Sequence, residues 1–307
     1  MLPLSQYKPF FFSLFLLLKL SLWCNAPFAQ TPLEVLTCEP EWAALVKSLT
    51  GELAVVYSAT TAQQDPHHIE ARPSLIAKAR RAKLLVCTGA ELEVGWLPLL
   101  LSKSGNGQIQ PGQPGFFMAA EQVNLLEKPI LLDRSQGDIH AAGNPHIHLD
   151  PQRILSIATA LAAQITTLDP TNQARYQHHL TQFTQQWQHA IEQWQIKTQA
   201  LRNKAIVVNH NNWLYLEHWL GLKRIATLEP KPGVPATSHH LSQVLASLQA
   251  TPADFIVQAS YEDNKAARWL SQKTGLPVLI LPFSVAENET LLHWFDRLLS
   301  QLLTPPQ

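Results

Sequence analysis

Apolar residues along the chain follow two alternating rhythms. Short runs at Leu33–Thr37, Leu53–Tyr57 and Leu84–Cys87 read as strands buried on both faces. Between them, Glu41–Leu49 places Trp42, Leu45, Val46 and Leu49 on one helical face, and Pro73–Lys83 is a helix with a proline near its start. Glu91–Lys103 reads as a helix kinked at Pro98, Gly105–Gly115 as a loop, and Ile130–Leu132 as a further short strand. Pro151–Leu168 and Thr171–Lys204 are then predicted as consecutive helices. In the second, Tyr176, Leu180, Phe183, Trp187, Ile191 and Trp194 recur at helical spacing and are read as core. The strand–helix rhythm resumes with strands at 205–209, 224–228, 254–258 and 278–281, and helices at 213–220, 239–248, 264–273 and 289–303. Such alternation predicts parallel sheets covered by helices. The expected fold is α/β: a first lobe over 30–170, a linking helix over 171–204 and a second lobe over 205–307. A helix of about 30 residues, with no internal Gly or Pro, spans about 45 Å and suits a strut between lobes.

Residues 1–29 are set apart from this pattern. Lys8 precedes an apolar run from Pro9 to Leu18, and small residues lead to Ala29. That is the layout of a signal peptide, too short in its apolar part to span a bilayer. Bulky Trp23 before Cys24 fits a lipid-attachment signal poorly, and cleavage after Ala29 is expected. The mature chain is therefore expected to be exported, soluble and monomeric. Export changes the reading of its two remaining cysteines. Cys38 and Cys87 follow strand-like runs, and in an oxidising compartment an even pair of this kind predicts a disulfide. Lys plus Arg and Asp plus Glu balance at 23 each, which argues against a nucleic-acid partner.

The 13 histidines supply the candidate chemistry. In open parallel sheets, ligands bind beyond the carboxyl ends of the strands. Four segments with ligand-type side chains fall there or at a helix start. They are Asp65-Pro66-His67-His68 with Glu70; Asn144-Pro145-His146-Ile147-His148; His210; and Glu262-Asp263. Singly, each has an ordinary explanation as a solvated loop or a helix cap. Together they offer three imidazoles and a carboxylate, two segments per lobe, a full tetrahedral set for Zn²⁺. His146 and His148 lie on a segment expected to be extended, where alternate side chains share a face. His140, shortly before, is a further candidate visitor to the metal. His178, His179, His189, His218, His239 and His240 fall on predicted helices and read as ordinary surface positions.

These motifs resemble those of the metal-binding solute-binding proteins of bacterial ABC importers for zinc and manganese, over essentially all of residues 31–305. The resemblance rests on Asp65-Pro66-His67 with Glu70 and Pro73-Ser74, on Pro145-His146 with Leu149-Asp150-Pro151, on His210, and on Pro232-Gly233, Pro235 and His240-Leu241. It implies two Rossmann-like lobes held by a rigid helix and a metal site at His67, His146, His210 and either Glu262 or Asp263, of which Asp263 is taken as the expected ligand. Glu262, His148, His68 and His140 are secondary candidates. It also implies Zn²⁺ as cargo, with Mn²⁺ the alternative, a membrane permease as partner, a periplasmic location and no enzymatic reaction. Zinc members often carry a His-rich loop between the first two ligands; Ser102–Gly115 has no histidine. Two rival classes remain. An exported zinc hydrolase would use three protein ligands and Glu70 or Glu262 as base. An adhesin or metallochaperone would use the same scaffold with another partner.

Overall fold

The computed structural model describes residues 31–129, 137–138 and 140–304. The signal-like segment and the expected strand at 130–132 lie outside these residues. Two four-stranded parallel sheets carry the fold, with the same topology. The first contains β1 (Leu33–Thr37), β2 (Ala54–Ser58), β3 (Leu84–Cys87) and β4 (Phe116–Met118) in the order β2-β1-β3-β4. The second contains β5 (Ala205–Val208), β6 (Lys223–Thr227), β7 (Phe255–Ala259) and β8 (Val278–Leu281) in the order β6-β5-β7-β8. The chain reverses direction across each sheet between the central strands, so the carboxyl ends of β1 and β3, and of β5 and β7, border the crevice typical of such sheets.

Helices α1 (Pro40–Thr50), α2 (Pro73–Arg81) and α3 (Leu97–Ser104) cover the first sheet. Helices α6 (Leu214–Leu220), α7 (Ser238–Ala250), α8 (Lys265–Thr274) and α9 (Leu291–Leu303) belong to the second half. Between them run α4 (Pro151–Leu168) and α5 (Gln173–Lys197). Sequence cues explain several ends. Asp150 caps α4 by accepting from the amides of Gln152 and Arg153, and Thr237 caps α7. Gly275 closes α8 in the left-handed conformation at φ 77°, where a side chain would be strained.

Helix α5 has 25 residues, about 37 Å at 1.5 Å per residue. It is shorter than the expected 171–204 because the chain tightens into single 3₁₀ turns on both sides, at Pro170–Asn172 and Gln199–Leu201. At the carboxyl end, the Thr198 hydroxyl bonds the Trp194 carbonyl at 2.7 Å, and Asn203 takes a positive φ of 66°. The aromatic stripe of α5 is core, as its spacing predicts. Phe183 stacks on Trp187, Trp187 meets Trp194 edge-on, and Trp194 packs on Phe295 of α9 with ring centroids 4.7 Å apart. Trp187 is fully buried and bonds the Pro151 carbonyl at 2.8 Å.

One strand was not foreseen and one expectation is corrected. The fourth strand of the first sheet is Phe116–Met118, paired to β3 through Leu85, Val86 and Cys87. The helix expected from Glu91 begins only at Leu97. Gly89, Ala90 and Glu91 all have positive φ and form a turn, and the Glu93 carboxylate holds it by accepting from the Thr88 and Gly89 amides. Pro98 therefore sits in the first turn of α3, where its missing N–H costs nothing, and produces no kink. Cys38 and Cys87, at the ends of neighbouring strands, form a disulfide with Cα atoms 4.7 Å apart.

Candidate metal centre

Three histidines converge from three strand-end or helix-start segments. His67 lies in the β2–α2 connection, His146 just before α4, and His210 just after β5. One ring nitrogen from each lies within 4.8 Å of the other two, and all three residues are buried. Ring centroids are 5.7 Å apart for His67–His146 and 5.9 Å for both pairs with His210.

Two of the rings are oriented by carboxylates. Asp65 accepts from the His67 amide at 3.0 Å and from its ring Nδ1 at 2.7 Å. Glu229, which follows β6, accepts from His210 Nδ1 at 2.6 Å and from the Gly233 amide at 2.9 Å. A proton fixed on Nδ1 leaves the Nε2 lone pair free for a metal, and the carboxylate makes the ring a stronger donor. Loop architecture supports both ends. Trp96 Nε1 bonds the Pro66 carbonyl at 2.8 Å, and Asn144 links the His146 amide at 3.1 Å to the Asn211 carbonyl at 2.8 Å.

The electrostatics differ from ring to ring. Burial, then the neighbouring rings of His67, His210, His140 and His148, holds His146 well below the ordinary imidazole range. Burial also pulls His210 down, but the Glu229 carboxylate, with Glu262 and Asp65 beyond it, outweighs this and leaves it raised. Burial would raise Asp65, yet its bond to His67 brings it to about 2. His210 therefore takes up a proton at higher pH than a free histidine, whereas His146 stays neutral in mildly acidic solution. A metal needs both rings neutral. Metal affinity is expected to fall as pH drops through the raised His210 range, by about tenfold per pH unit for one competing proton. Glu229→Gln removes the largest of the contributions that raise His210, so the loss should begin at lower pH. Zinc titrations between pH 5.5 and 8 check this, and an onset unmoved by Glu229→Gln would refute it.

The other candidates are placed differently. Ile147–Leu149 forms a 3₁₀ turn instead of an extended segment, so His146 and His148 do not share a face. His148 turns to the Phe283 carbonyl, 3.1 Å from its Nε2, and to Glu41, 3.5 Å from its Nδ1. His140 lies close, with its Nε2 3.3 Å from that of His67. Burial, then His67 and His210, lowers it to about 4. His68 and Glu70 are exposed. Asp263, the expected carboxylate ligand, lies apart from the three rings: its exposed side chain pairs with Lys265 Nζ at 2.9 Å and accepts from the Lys265 amide at 2.8 Å. Glu262 turns inward. It accepts from the Ala259 amide at 2.7 Å and from Asn212 at 3.2 Å, and burial raises it to about 7. A cavity of about 740 Å³ opens beside the cluster, with Asp65, Glu229, Tyr261, Glu262 and Asp263 in its wall. The orienting roles of Asp65 and Glu229 were not evident from sequence spacing. An acidic residue directly after a strand was the only local signal for Glu229.

A family model described as the periplasmic component A of the zinc-uptake complex, ZnuA, matches residues 35–304. The chain belongs to this family. Among curated proteins it is similar to the manganese ABC transporter substrate-binding lipoprotein PsaA of Streptococcus pneumoniae, with 23% identity over 279 residues covering 88% of this chain and 86% of that protein. It is also similar to the iron ABC transporter substrate-binding lipoprotein MtsA of Streptococcus pyogenes serotype M1, with 20% identity over 270 residues covering 87% and 85%. Among solved structures, a crystal structure of ZnuA matches its fold with a TM-score of 0.72 and 19% identity, covering 88% of this chain and 96% of that one. The two-lobed α/β architecture is thus the family's, and the protein is a metal ABC transporter substrate-binding family member.

Proposed function

We propose that the protein is an exported carrier that binds Zn²⁺ at His67, His146 and His210 and delivers it to an ABC import permease. The observation that carries this reading is the convergence of three buried imidazoles from segments attached to both sheets, two with a carboxylate fixing the far nitrogen. Such a donor set suits zinc, whereas manganese favours more oxygen ligands. The carboxylate-lined cavity beside the cluster offers a cation an approach without a His-rich loop. Relatives are named for manganese and for iron transport, so metal identity is the sharpest test of this reading. Elemental analysis of protein purified from the periplasm without added metal tests it directly. Manganese in place of zinc would overturn the assignment, and recovery from the cytoplasm alone would overturn export.

A hydrolytic reading gains little support from the site. Glu70 faces solvent, and Glu262 is occupied by the Ala259 amide and Asn212. The relatives are named as transporter components. The fourth metal ligand is open to a side-by-side test. Asp263→Ala should leave zinc affinity within about twofold, because that carboxylate is solvated and pairs with Lys265. His140→Ala should weaken binding by about tenfold, at the low end of effects seen for groups around a metal. Glu262→Ala should fall between them. Calorimetric zinc titrations decide, and a tenfold loss in Asp263→Ala would restore that residue to the site.

A further inference from the structure

The three histidines are not held alike. Asp65 fixes the His67 ring and Glu229 fixes that of His210, but the buried Nδ1 of His146 has no hydrogen-bond partner among the described residues. A ligand imidazole is ordinarily oriented through its second nitrogen. At His146 that task falls to packing. The Phe283 ring meets it edge-on with centroids 5.5 Å apart, and meets His148 edge-on at 4.9 Å. Phe283 follows β8 of the second sheet, yet its main chain is tied to the other half of the molecule. His148 donates Nε2–H to the Phe283 carbonyl at 3.1 Å, and its Nδ1 lies 3.5 Å from Glu41 of α1. Glu41 in turn accepts from the Ser284 hydroxyl. His148, Glu41, Phe283 and Ser284 are all buried.

We propose that His148 is a positioning residue for the metal site. With Glu41 it latches the Phe283–Ser284 segment across the two halves and so keeps the Phe283 ring against His146. This inference rests on the metal-carrier reading above. Both His148 nitrogens face away from the cluster, Nε2 bonded to the Phe283 carbonyl and Nδ1 3.5 Å from Glu41, so the residue acts through Phe283 and not as a ligand. A purely apolar ring at this position fills the space but holds neither the carbonyl nor Glu41. Without the latch, the His146 ring loses its orientation, and the bound metal sees a distorted coordination geometry and leaves faster.

The test compares wild type with His148→Phe, His148→Gln and Phe283→Leu, using Zn²⁺ and Co²⁺ as probes. Zinc release is followed by a chelator chase, and coordination geometry by the visible absorption of bound cobalt. His148→Phe is expected to release zinc about tenfold faster or more, as for other losses behind metal ligands, and to shift and weaken the cobalt bands. His148→Gln can donate an amide N–H to the carbonyl and is expected to restore both readouts to within about threefold of wild type, well short of that loss. Phe283→Leu keeps the carbonyl that His148 holds but removes the ring set against His146, and should behave like His148→Phe. A His148→Phe protein with a wild-type cobalt spectrum and zinc release within about twofold overturns the proposal, because losses behind metal ligands are larger. A lowered melting temperature without those changes does the same, since it marks a merely structural role. If His148→Phe does not fold, Phe283→Leu decides alone by the same readouts. Wild type that binds neither metal would sink the carrier reading itself. Wild type that binds both, beside unaltered variants, would sink only the latch.

Discussion

Replacing His146 by alanine is expected to abolish most of the zinc-dependent rise in melting temperature. Zinc at a thousandfold excess over Kd stabilises a native protein by about 4 kcal/mol. For a chain of this size that corresponds to about 8–16 °C. His146 is the most deeply buried of the three histidines at 1% exposure, and no other described ring sits where it can replace both its contacts with His67 and those with His210. Its ring already stays neutral in mild acid, so wild type pays little proton competition there. A hundredfold loss of affinity at the same zinc concentration leaves only about 1.4 kcal/mol of stabilisation. The apo variant should melt close to apo wild type or above it, because it no longer buries an imidazole without a hydrogen bond. Thermal melts with and without zinc, alongside calorimetry, measure both effects. An undiminished zinc shift in His146→Ala would remove this residue from the site.

Most of the fold was legible because local signals agree with the global pattern. Buried parallel strands appear as unbroken apolar runs such as Leu84–Cys87, and helices announce themselves through caps such as Asp150 and stops such as Gly275. What escaped was set by non-local pairing or by turn geometry. Phe116–Met118 is only three residues long, too short for any periodicity, and becomes a strand by pairing with β3. The turn at Gly89–Glu91 delays α3 because a carboxylate four residues on captures its amides.

The convergence of histidines at the candidate site was legible to a similar depth. His67, His146 and His210 each follow a strand end or precede a capped helix, positions that the α/β plan sends to one edge. The choice between Glu262 and Asp263 was not, since neighbouring residues in a turn diverge and nothing local says which turns inward. His148 shows the same limit. Two residues along an extended chain bring a side chain back to the same face, but two residues along a 3₁₀ turn do not. The carboxylate behind His210 comes from Glu229, 19 residues away across the β5–β6 pair, a contact that exists only once the sheet has formed.

Loss of the Cys38–Cys87 disulfide should be the largest purely structural defect a small change can cause in this protein. The bridge closes a loop with a sequence separation of 49, joining the ends of the two central strands of the first sheet. Loop closure on that scale removes unfolded-state entropy equivalent to about 4 kcal/mol. That is a large share of the roughly 5–15 kcal/mol by which domains are stable. Both cysteines are fully buried, so the folded protein should resist reduction and lose the bridge only on opening. Quantitative thiol labelling of denatured, unreduced protein should find neither Cys38 nor Cys87 reactive. The double variant Cys38→Ala/Cys87→Ala is expected to melt about 8–16 °C lower, at roughly 2–4 °C per kcal/mol. Its zinc-induced shift should nevertheless persist. The segment bearing His67 stays anchored by Thr60, which bonds the Cys38 carbonyl through its amide at 3.1 Å and its hydroxyl at 2.9 Å, and by Trp96 on Pro66. Backbone at residue 38 survives the substitution, so fold stability and metal affinity should separate. Two reactive thiols in the unreduced protein would rule out the bridge. A double variant that melts like wild type would show that the bridge contributes no stability, and one that keeps its fold but loses its zinc shift would show that it shapes the metal site as well as the first sheet.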